Sequence, residues 1–312
     1  MTRVAAVDCG TNSIRLLVAD TDGRTLRDVV RRMEIVRLGQ GVDVTGCIAP
    51  EAMERTLTVA REYASQCEQL RVERVRFVAT SASRDASNAA EFAAGVADAF
   101  AAFGTRPEVI SGDEEAQLSF RGATSVADGA APAPYLVVDL GGGSTEFVLG
   151  EQQVTAVRSV DMGCVRFTER HLRSDPPTDA EIAAATTDID ALIDTAAQVV
   201  PLRDARSLIG LAGSVTTITA NALRLPAYDP ERINGAALTV QQVVDSCDAL
   251  LRMTRAQRAE LGFMHPGRVD VIGSGALIWR TIVQRVAAEA GLATVLTSEH
   301  DILDGIALGL AD

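Results

Sequence analysis

At 312 residues the chain is long enough for two domains, each with a sizeable core. Hydrophobic residues make up 47% and charged residues 23%, an ordinary globular balance that excludes extended disorder. A net charge of −13 argues against general nucleic-acid binding, so any anionic ligand must be drawn in by local arginines and a divalent cation. Met1-Thr2-Arg3 leads directly into a strand broken by Asp8, so no secretory signal is expected there, and no apolar run reaches membrane-spanning length. Cys9, Cys47, Cys67, Cys164 and Cys247 are odd in number and lack a Cys-x-x-Cys pair. They are expected to be reduced thiols in a cytoplasmic protein. His171, His265 and His300 have no metal-ligand spacing and are expected to be structural.

The chain opens on two strand-like runs around a short polar turn, Val4 to Asp8 and Ile14 to Asp20, with Cys9-Gly10-Thr11-Asn12-Ser13 between them. Asp22-Gly23 marks the next turn and Val29 to Leu38 a further strand. Pro50 suits a first helical turn, and Met53, Leu57, Ala60, Ala64 and Cys67 recur as one helical face. Val75 to Ala79 is a strand ending in the polar run Thr80 to Asn88. Asn88 with Glu91 predicts a capped helix start, followed by a stripe of Phe92, Val96, Phe100 and Phe103. Val109 to Gly112 is a short strand and turn, and Asp113-Glu114-Glu115-Ala116 opens another helix.

Ser125 to Pro134 is the candidate linker. The most informative stretch follows it: Val137-Val138-Asp139-Leu140-Gly141-Gly142-Gly143-Ser144-Thr145-Glu146-Phe147-Val148. Two apolar runs flank a glycine turn. Without Cβ atoms, such a turn can aim backbone N–H groups at an anion. Asp139 and Glu146, at its two ends, suit a hydrated Mg²⁺ through oxygen ligands. The opening hairpin has the same grammar: Asp8 aligns with Asp139, Gly10 with Gly141 and Ser13 with Ser144. That echo implies a duplicated unit with two phosphate-cradling hairpins lining a cleft. Either aspartate alone would equally suit an ordinary turn. Val154 to Val160 is a strand, and Thr178 with Glu181 a capping box before a helix to about Val200. Leu208 to Ser214 runs from strand into glycine turn, with a helix from Thr216 to Leu225. Thr239 with Gln242 starts another helix. Arg268 to Ala276 is expected to be a fourth strand-to-glycine element, and Glu299 to Leu310 an amphipathic terminal helix. Alternating strands and helices give an α/β fold class.

These motifs together resemble a known family. Asp8-Cys-Gly-Thr-Asn-Ser-Ile-Arg15, Asp139-Leu-Gly-Gly-Gly-Ser-Thr-Glu146 and Gly210-Leu-Ala-Gly-Ser214 look like the two phosphate elements and the adenosine-type element of the actin–Hsp70–sugar-kinase superfamily. Ala79-Thr-Ser-Ala-Ser-Arg84, Ile110-Ser-Gly-Asp-Glu-Glu-Ala116 and Arg268-Val-Asp-Val narrow this to a resemblance to the Ppx/GppA family in its short form. The resemblance implies two ribonuclease-H-like (actin-like ATPase) domains around an interdomain cleft. Residues 1–124 would form the first, completed by a terminal helix over 299–312, and residues 125–298 the second. It also implies Mg²⁺-dependent hydrolysis of a terminal phosphoanhydride, and a homodimer.

On that resemblance Glu115, with Glu114 beside it, is the candidate water-activating base. Both glutamates could equally be a helix N-terminus seeking negative charge. Asp8, Asp139 and Glu146 are the metal candidates, directly or through water. Thr11, Asn12, Ser13, Gly141, Gly142, Gly143, Ser144, Thr145, Gly213 and Ser214 are expected to donate to phosphate. Arg84 and Arg268 would clamp phosphate oxygens in pairs, with Arg121 and Arg166 as weaker candidates. The expected substrate is inorganic polyphosphate, with short chains preferred, or alternatively guanosine pentaphosphate. A sugar or acid kinase and a silent polyphosphate binder are the remaining alternatives. The Ser-Gly-Asp-Glu-Glu-Ala motif argues against both, since a water-activating carboxylate serves neither.

Overall fold

A computed structural model of the chain describes residues 1–124 and 131–311. Positions 125–130, most of the candidate linker, lie outside the described residues. The chain forms two compact units, Met1–Gly122 joined by the segment from Ile302, and Ala123–Asp301.

The first unit is built on β1 (Thr2–Cys9), β2 (Ser13–Thr21), β3 (Leu26–Ile35), β4 (Arg74–Ala79) and β5 (Glu108–Val109), in the order β3-β2-β1-β4-β5. Strands β1, β2 and β3 form an antiparallel meander, while β4 and β5 run parallel to β1. Val4 to Val7 is a continuous apolar run because β1 is covered on both faces. Ala5 and Val7 face helices Pro50–Gln69 and Ala89–Ala99, together with Tyr63, Phe77, Phe92 and Phe100. Val4 and Ala6 face the terminal helix Ile302–Leu308 through Ile302, Leu303 and Ile306. The buried Asp304 of that helix takes both Nη atoms of Arg31 on β3, at 2.7 and 3.2 Å.

The second unit holds β6 (Tyr135–Leu140), β7 (Thr145–Gly150), β8 (Val154–Val160), β9 (Ser207–Leu211), β10 (Ala237–Thr239) and β11 (Thr294–Thr297), in the order β10-β11-β9-β6-β7-β8. Read from β8, the order β8-β7-β6-β9-β11 repeats that of the first unit, with the same meander and the same two parallel strands. Only β10 is added, antiparallel on the edge. The core centres on the fully buried Trp279, whose ring lies against Gly210 of β9. A Cβ there would come within 2.5 Å of the indole, so Gly210 serves packing.

Two local expectations need correction. Residues 268–276 are no strand: Pro266–Arg268 is a single 3₁₀ turn, and Ile272–Ala290 is one long helix. Val269 to Ile272 mimics a short buried strand, but the apolar spacing continues at helical period through Ile278, Ile282 and Val286. Its glycines sit inside the helix because neighbours press on them. A Cβ at Gly273 would meet the Arg258 guanidinium at 2.6 Å, and one at Gly275 would meet Ser214 Oγ at 2.5 Å. Asn88 does precede helix Ala89–Ala99 but makes no side-chain cap. Its amide instead exchanges two bonds with the backbone of Ile48, at 2.9 and 3.0 Å. The capping boxes at Thr178/Glu181 and Thr239/Gln242 form as expected. Among the described residues no helix is long and apolar enough to cross a membrane.

Candidate active site

In each unit three parallel strands end at the same sheet edge, which is where an open α/β sheet presents its ligand groups. In the first unit those ends are Asp8 on β1, the segment Thr80–Arg84 after β4, and Ile110–Glu115 after β5. Thr80 and Ile110 are stitched to the strand ends, Thr80 N to Cys9 O at 3.1 Å and Ile110 N to Ala79 O at 3.1 Å. Glu115, in the first turn of helix Gly112–Ala123, is only 9% exposed. Arg84 Nη1 donates to Glu115 Oε2 at 2.8 Å and to the Ile110 carbonyl at 2.9 Å. Glu114 points elsewhere, half exposed and paired with Arg76 at 2.7 Å. The two adjacent glutamates are thus separated by the helix itself, one inward and one on the surface. Arg84, expected as a phosphate clamp, has one Nη committed to the carboxylate.

The opening hairpin turns at Gly10, whose N–H donates to Ser13 O at 2.9 Å. Asp8 lies directly across the ladder from Arg15. Arg15 closes on it, Nη2 to Oδ2 at 2.6 Å and Nε at 3.0 Å. Thr11 Oγ1 lies 2.8 Å from Ser81 Oγ. Asn12 Oδ1 and Ser83 Oγ are buried without a hydrogen-bond partner among the described residues. Buried polar atoms are seldom left so, and a phosphate or its hydration shell would satisfy both. Arg121 is exposed and, among the described residues, donates to the Gly23 and Leu308 carbonyls, at 3.4 Å each, a structural tie.

The second hairpin repeats this geometry. Gly141 N donates to Ser144 O at 3.0 Å, and Asp139 lies directly across the ladder from Glu146. The cross-strand partner is now a second carboxylate. Asp139 is 7% exposed and Glu146 fully buried, with Ser159 Oγ donating to Glu146 Oε1 at 2.8 Å. Two like charges facing each other across a ladder destabilise it unless a cation joins them. This hard-oxygen pair therefore fits Mg²⁺. Among the described residues no three His, Cys, Asp or Glu side chains converge as a ready metal cage. Thr145, expected as a phosphate donor, is fully buried, and its hydroxyl donates to the Met162 carbonyl. It braces the turn instead, because its side chain faces the core side of β7.

The third element runs from β9 into helix Ala212–Ala222. Ala212 sits at φ 71°, left-handed backbone that costs an alanine about 1 kcal/mol. It turns the chain sharply so that Gly213 and Ser214 head the helix. The Arg268 guanidinium lies flat over Gly213, where a Cβ would come within 2.4 Å of Nη2, and Arg268 Nη1 donates to Thr217 Oγ1 at 3.1 Å. Thr217 in turn donates to Gly213 O at 2.7 Å. Tyr228 stands behind this group, its hydroxyl 2.6 Å from Glu299 Oε1 and 2.7 Å from Thr216 Oγ1. Burial and the Glu299 charge push its pKa up, against the pull of Arg268. The chain contains no lysine, so cationic recognition falls wholly to arginine. Cys164, buried beside Ser214, has its thiol pKa raised by burial, which leaves it unreactive.

Arg15, Ser83, Thr217 and Tyr228 were not singled out from sequence. Arg15 stands inside the first motif, and its alternation with Asp8 across a hairpin was the available signal. Tyr228 and Thr217 had none.

Two sheets of one order, each carrying a glycine hairpin at the carboxyl ends of its parallel strands, define the actin-like ATPase fold with ribonuclease-H-like units. The Ppx/GppA phosphatase family model matches residues 17–309, and the chain belongs to that family. It is 51% identical to exopolyphosphatase 2 of Mycobacterium tuberculosis, over 100% of this chain and 99% of that protein. The crystal structure of an exopolyphosphatase-like protein shares 46% identity and a TM-score of 0.95, covering 99% of both chains. The Aquifex aeolicus PPX-GPPA enzyme shares 29% identity and a TM-score of 0.80, again over 99% of both.

Proposed function

We propose that this protein is an exopolyphosphatase that hydrolyses the terminal phosphoanhydride of inorganic polyphosphate, releasing orthophosphate. The substrate class is taken from the full-length likeness to the mycobacterial exopolyphosphatase. The observation that carries the chemistry is Glu115, buried at a helix head and held by Arg84 at 2.8 Å. A buried, oriented carboxylate is what proton abstraction from water requires.

In this reading Glu115 orients a water and takes its proton as the water oxygen bonds to the terminal phosphorus. The bridging P–O bond breaks, and the shortened chain leaves as the anion. Arg84 holds Glu115 in place. The amides of Gly142, Gly143 and Ser144, together with Gly213, Ser214 and Arg268, take up phosphate oxygens. In the first hairpin, Thr11, Asn12 and Ser13 offer phosphate donors of their own. Asp139 and Glu146 would hold Mg²⁺; Asp8, whose Oδ2 is occupied by Arg15, is left to take a metal only through water. A Mg²⁺ held by these residues would supply charge neutralisation for the transferred phosphoryl group. The proposal extends to a preference for short chains, a homodimer and a cytoplasmic setting.

The test is Mg²⁺-dependent phosphate release from short and long polyphosphate, guanosine pentaphosphate and ATP, by wild type and Glu115→Ala. Release from polyphosphate that disappears in the variant supports the reading. Release from guanosine pentaphosphate alone moves the protein to nucleotide signalling. Acceptor-dependent ADP formation would make it a kinase, and binding without turnover a silent binder.

A further inference from the structure

A turn that binds an anion through its amides must dispose of its carbonyls, whose negative ends would repel the ligand. In the second hairpin every glycine carbonyl is taken. Cys164 N donates to Gly141 O at 3.0 Å, Val165 N to Gly142 O at 2.9 Å and Arg166 N to Gly142 O at 3.2 Å. The last carbonyl, Gly143 O, receives Arg166 Nε at 2.8 Å. All four donors belong to the head of helix Cys164–Arg170, the first element after β8. The first hairpin is treated alike by the segment after β3. Val36 N and Arg37 N donate to Asn12 O at 3.0 and 2.8 Å, and Gly39 N donates to Thr11 O at 2.9 Å. Arg37 adopts φ 51° to do so, a left-handed conformation that a non-glycine residue holds only under constraint.

We infer that Arg166 is a positioning residue for phosphate binding: its guanidinium clamps the Gly143 carbonyl and so keeps the Ser144 amide of that peptide turned toward the ligand, while its backbone N–H, with that of Val165, holds the Gly142 carbonyl and thereby the Gly143 amide. Arg166 is 9% exposed, so its charge is set inside the protein rather than on a solvated surface. Gly163 belongs to the same device. A Cβ there would stand 2.2 Å from Gly142 O and 2.4 Å from Gly143 N, driving the helix head off the turn. The first hairpin reaches the same end with backbone donors alone; the second needs a side chain because Gly143 O lies beyond the helix's own N–H groups.

This inference rests on the phosphate-binding reading above, and its test separates the two. The parent is Glu115→Gln, which keeps the ligand intact, in Mg²⁺ buffer with inorganic tripolyphosphate as probe. Calorimetry on the parent and on parent plus Arg166→Met is expected to show affinity about tenfold weaker in the latter. The slope of log Kd against log salt should stay the same, because no phosphate–cation contact is lost. A slope reduced by about one means that Arg166 touches phosphate itself and overturns the inference, as does unchanged affinity. Should parent plus Arg166→Met fail to fold, ¹⁵N NMR of the parent decides. The Gly143 and Ser144 amides are expected to shift on tripolyphosphate binding well ahead of Arg166 Nε; an Nε shift as large as theirs overturns the clamp. A parent that takes no tripolyphosphate overturns the functional reading and the clamp together, whereas binding by both proteins with equal affinity overturns the clamp alone.

Discussion

The two glycine hairpins share strand order, turn closure and carbonyl capping, yet differ in one cross-strand partner. Asp8 faces Arg15, while the aspartate in the same place of the second unit faces Glu146. The first unit pairs its carboxylates within itself, Asp8 with Arg15 and Glu115 with Arg84. The second buries two acids side by side, and two arginines near its glycine elements, Arg166 and Arg268, donate to a backbone carbonyl and a hydroxyl instead. The two units carry two copies of one closed turn at the same place in the strand order. On the proposed reading, that single ladder position separates a charge-paired first hairpin, in the unit that holds the candidate base, from a second hairpin whose two carboxylates suit a cation.

The sharpest way to break that division is at Glu115. Glu115→Gln is expected to lower kcat by about 10³-fold with KM and Mn²⁺ affinity unchanged, whereas Glu114→Gln stays within threefold. Equal losses in steady-state kinetics would erase the distinction between inward and surface glutamates. At the second hairpin, Glu146→Gln or Asp139→Asn should weaken Mn²⁺ binding by roughly 10- to 100-fold in calorimetry, against a severalfold effect for Asp8→Asn. Without metal, Glu146→Gln should unfold at the same or higher urea concentration than wild type, because one of two opposed buried charges is gone. In the first hairpin the sign reverses. Arg15→Gln strands Asp8 and is expected to cost about 2 kcal/mol in urea unfolding, most of it recovered by adding Asp8→Asn.

The smallest effects show whether the asymmetry is confined to the site. Asp22 in the first unit and Glu181 in the second are surface carboxylates held down to about 2, chiefly by backbone N–H donors from Thr25 and Thr178. A depressed folded-state pKa stabilises fully above the unfolded value and fades as pH falls from there toward the folded one. Asp22→Asn and Glu181→Gln should therefore both be slightly destabilising at pH 7 and converge with wild type as pH approaches 2. A pH titration of thermal unfolding in which only one converges would extend the asymmetry to the whole units.

Much of this was legible because the informative residues are local. A glycine turn between apolar runs, repeated with its aspartate and serine in step, specifies both hairpins and the duplicated order around them. Thr178/Glu181 and Thr239/Gln242 specify their helix starts for the same reason. Other features depend on contacts far apart in sequence. Gly273 and Gly275 looked like a turn because their true cause, the approach of Arg258 and Ser214, is invisible along the chain. The carbonyl clamps depend on helix Cys164–Arg170 docking on a turn more than twenty residues earlier. Thr145 looked like a ligand donor because its sequence position cannot reveal which side of β7 its hydroxyl takes.

The terminal helix has a consequence for the order in which the protein comes into being. The second unit is one uninterrupted stretch, Ala123–Asp301, whereas the first is closed by residues that follow it. Until Ile302 to Leu308 leave the ribosome, Val4, Ala6, Leu17 and Ala19 lack the packing of Ile302, Leu303 and Ile306, and Arg31 lacks the buried carboxylate of Asp304. The half of the molecule made first is therefore the half finished last. A nascent chain that has released residues up to 301 but not the last helix carries a complete second unit behind a first unit still missing one cover, a partly exposed form of the kind chaperones guard.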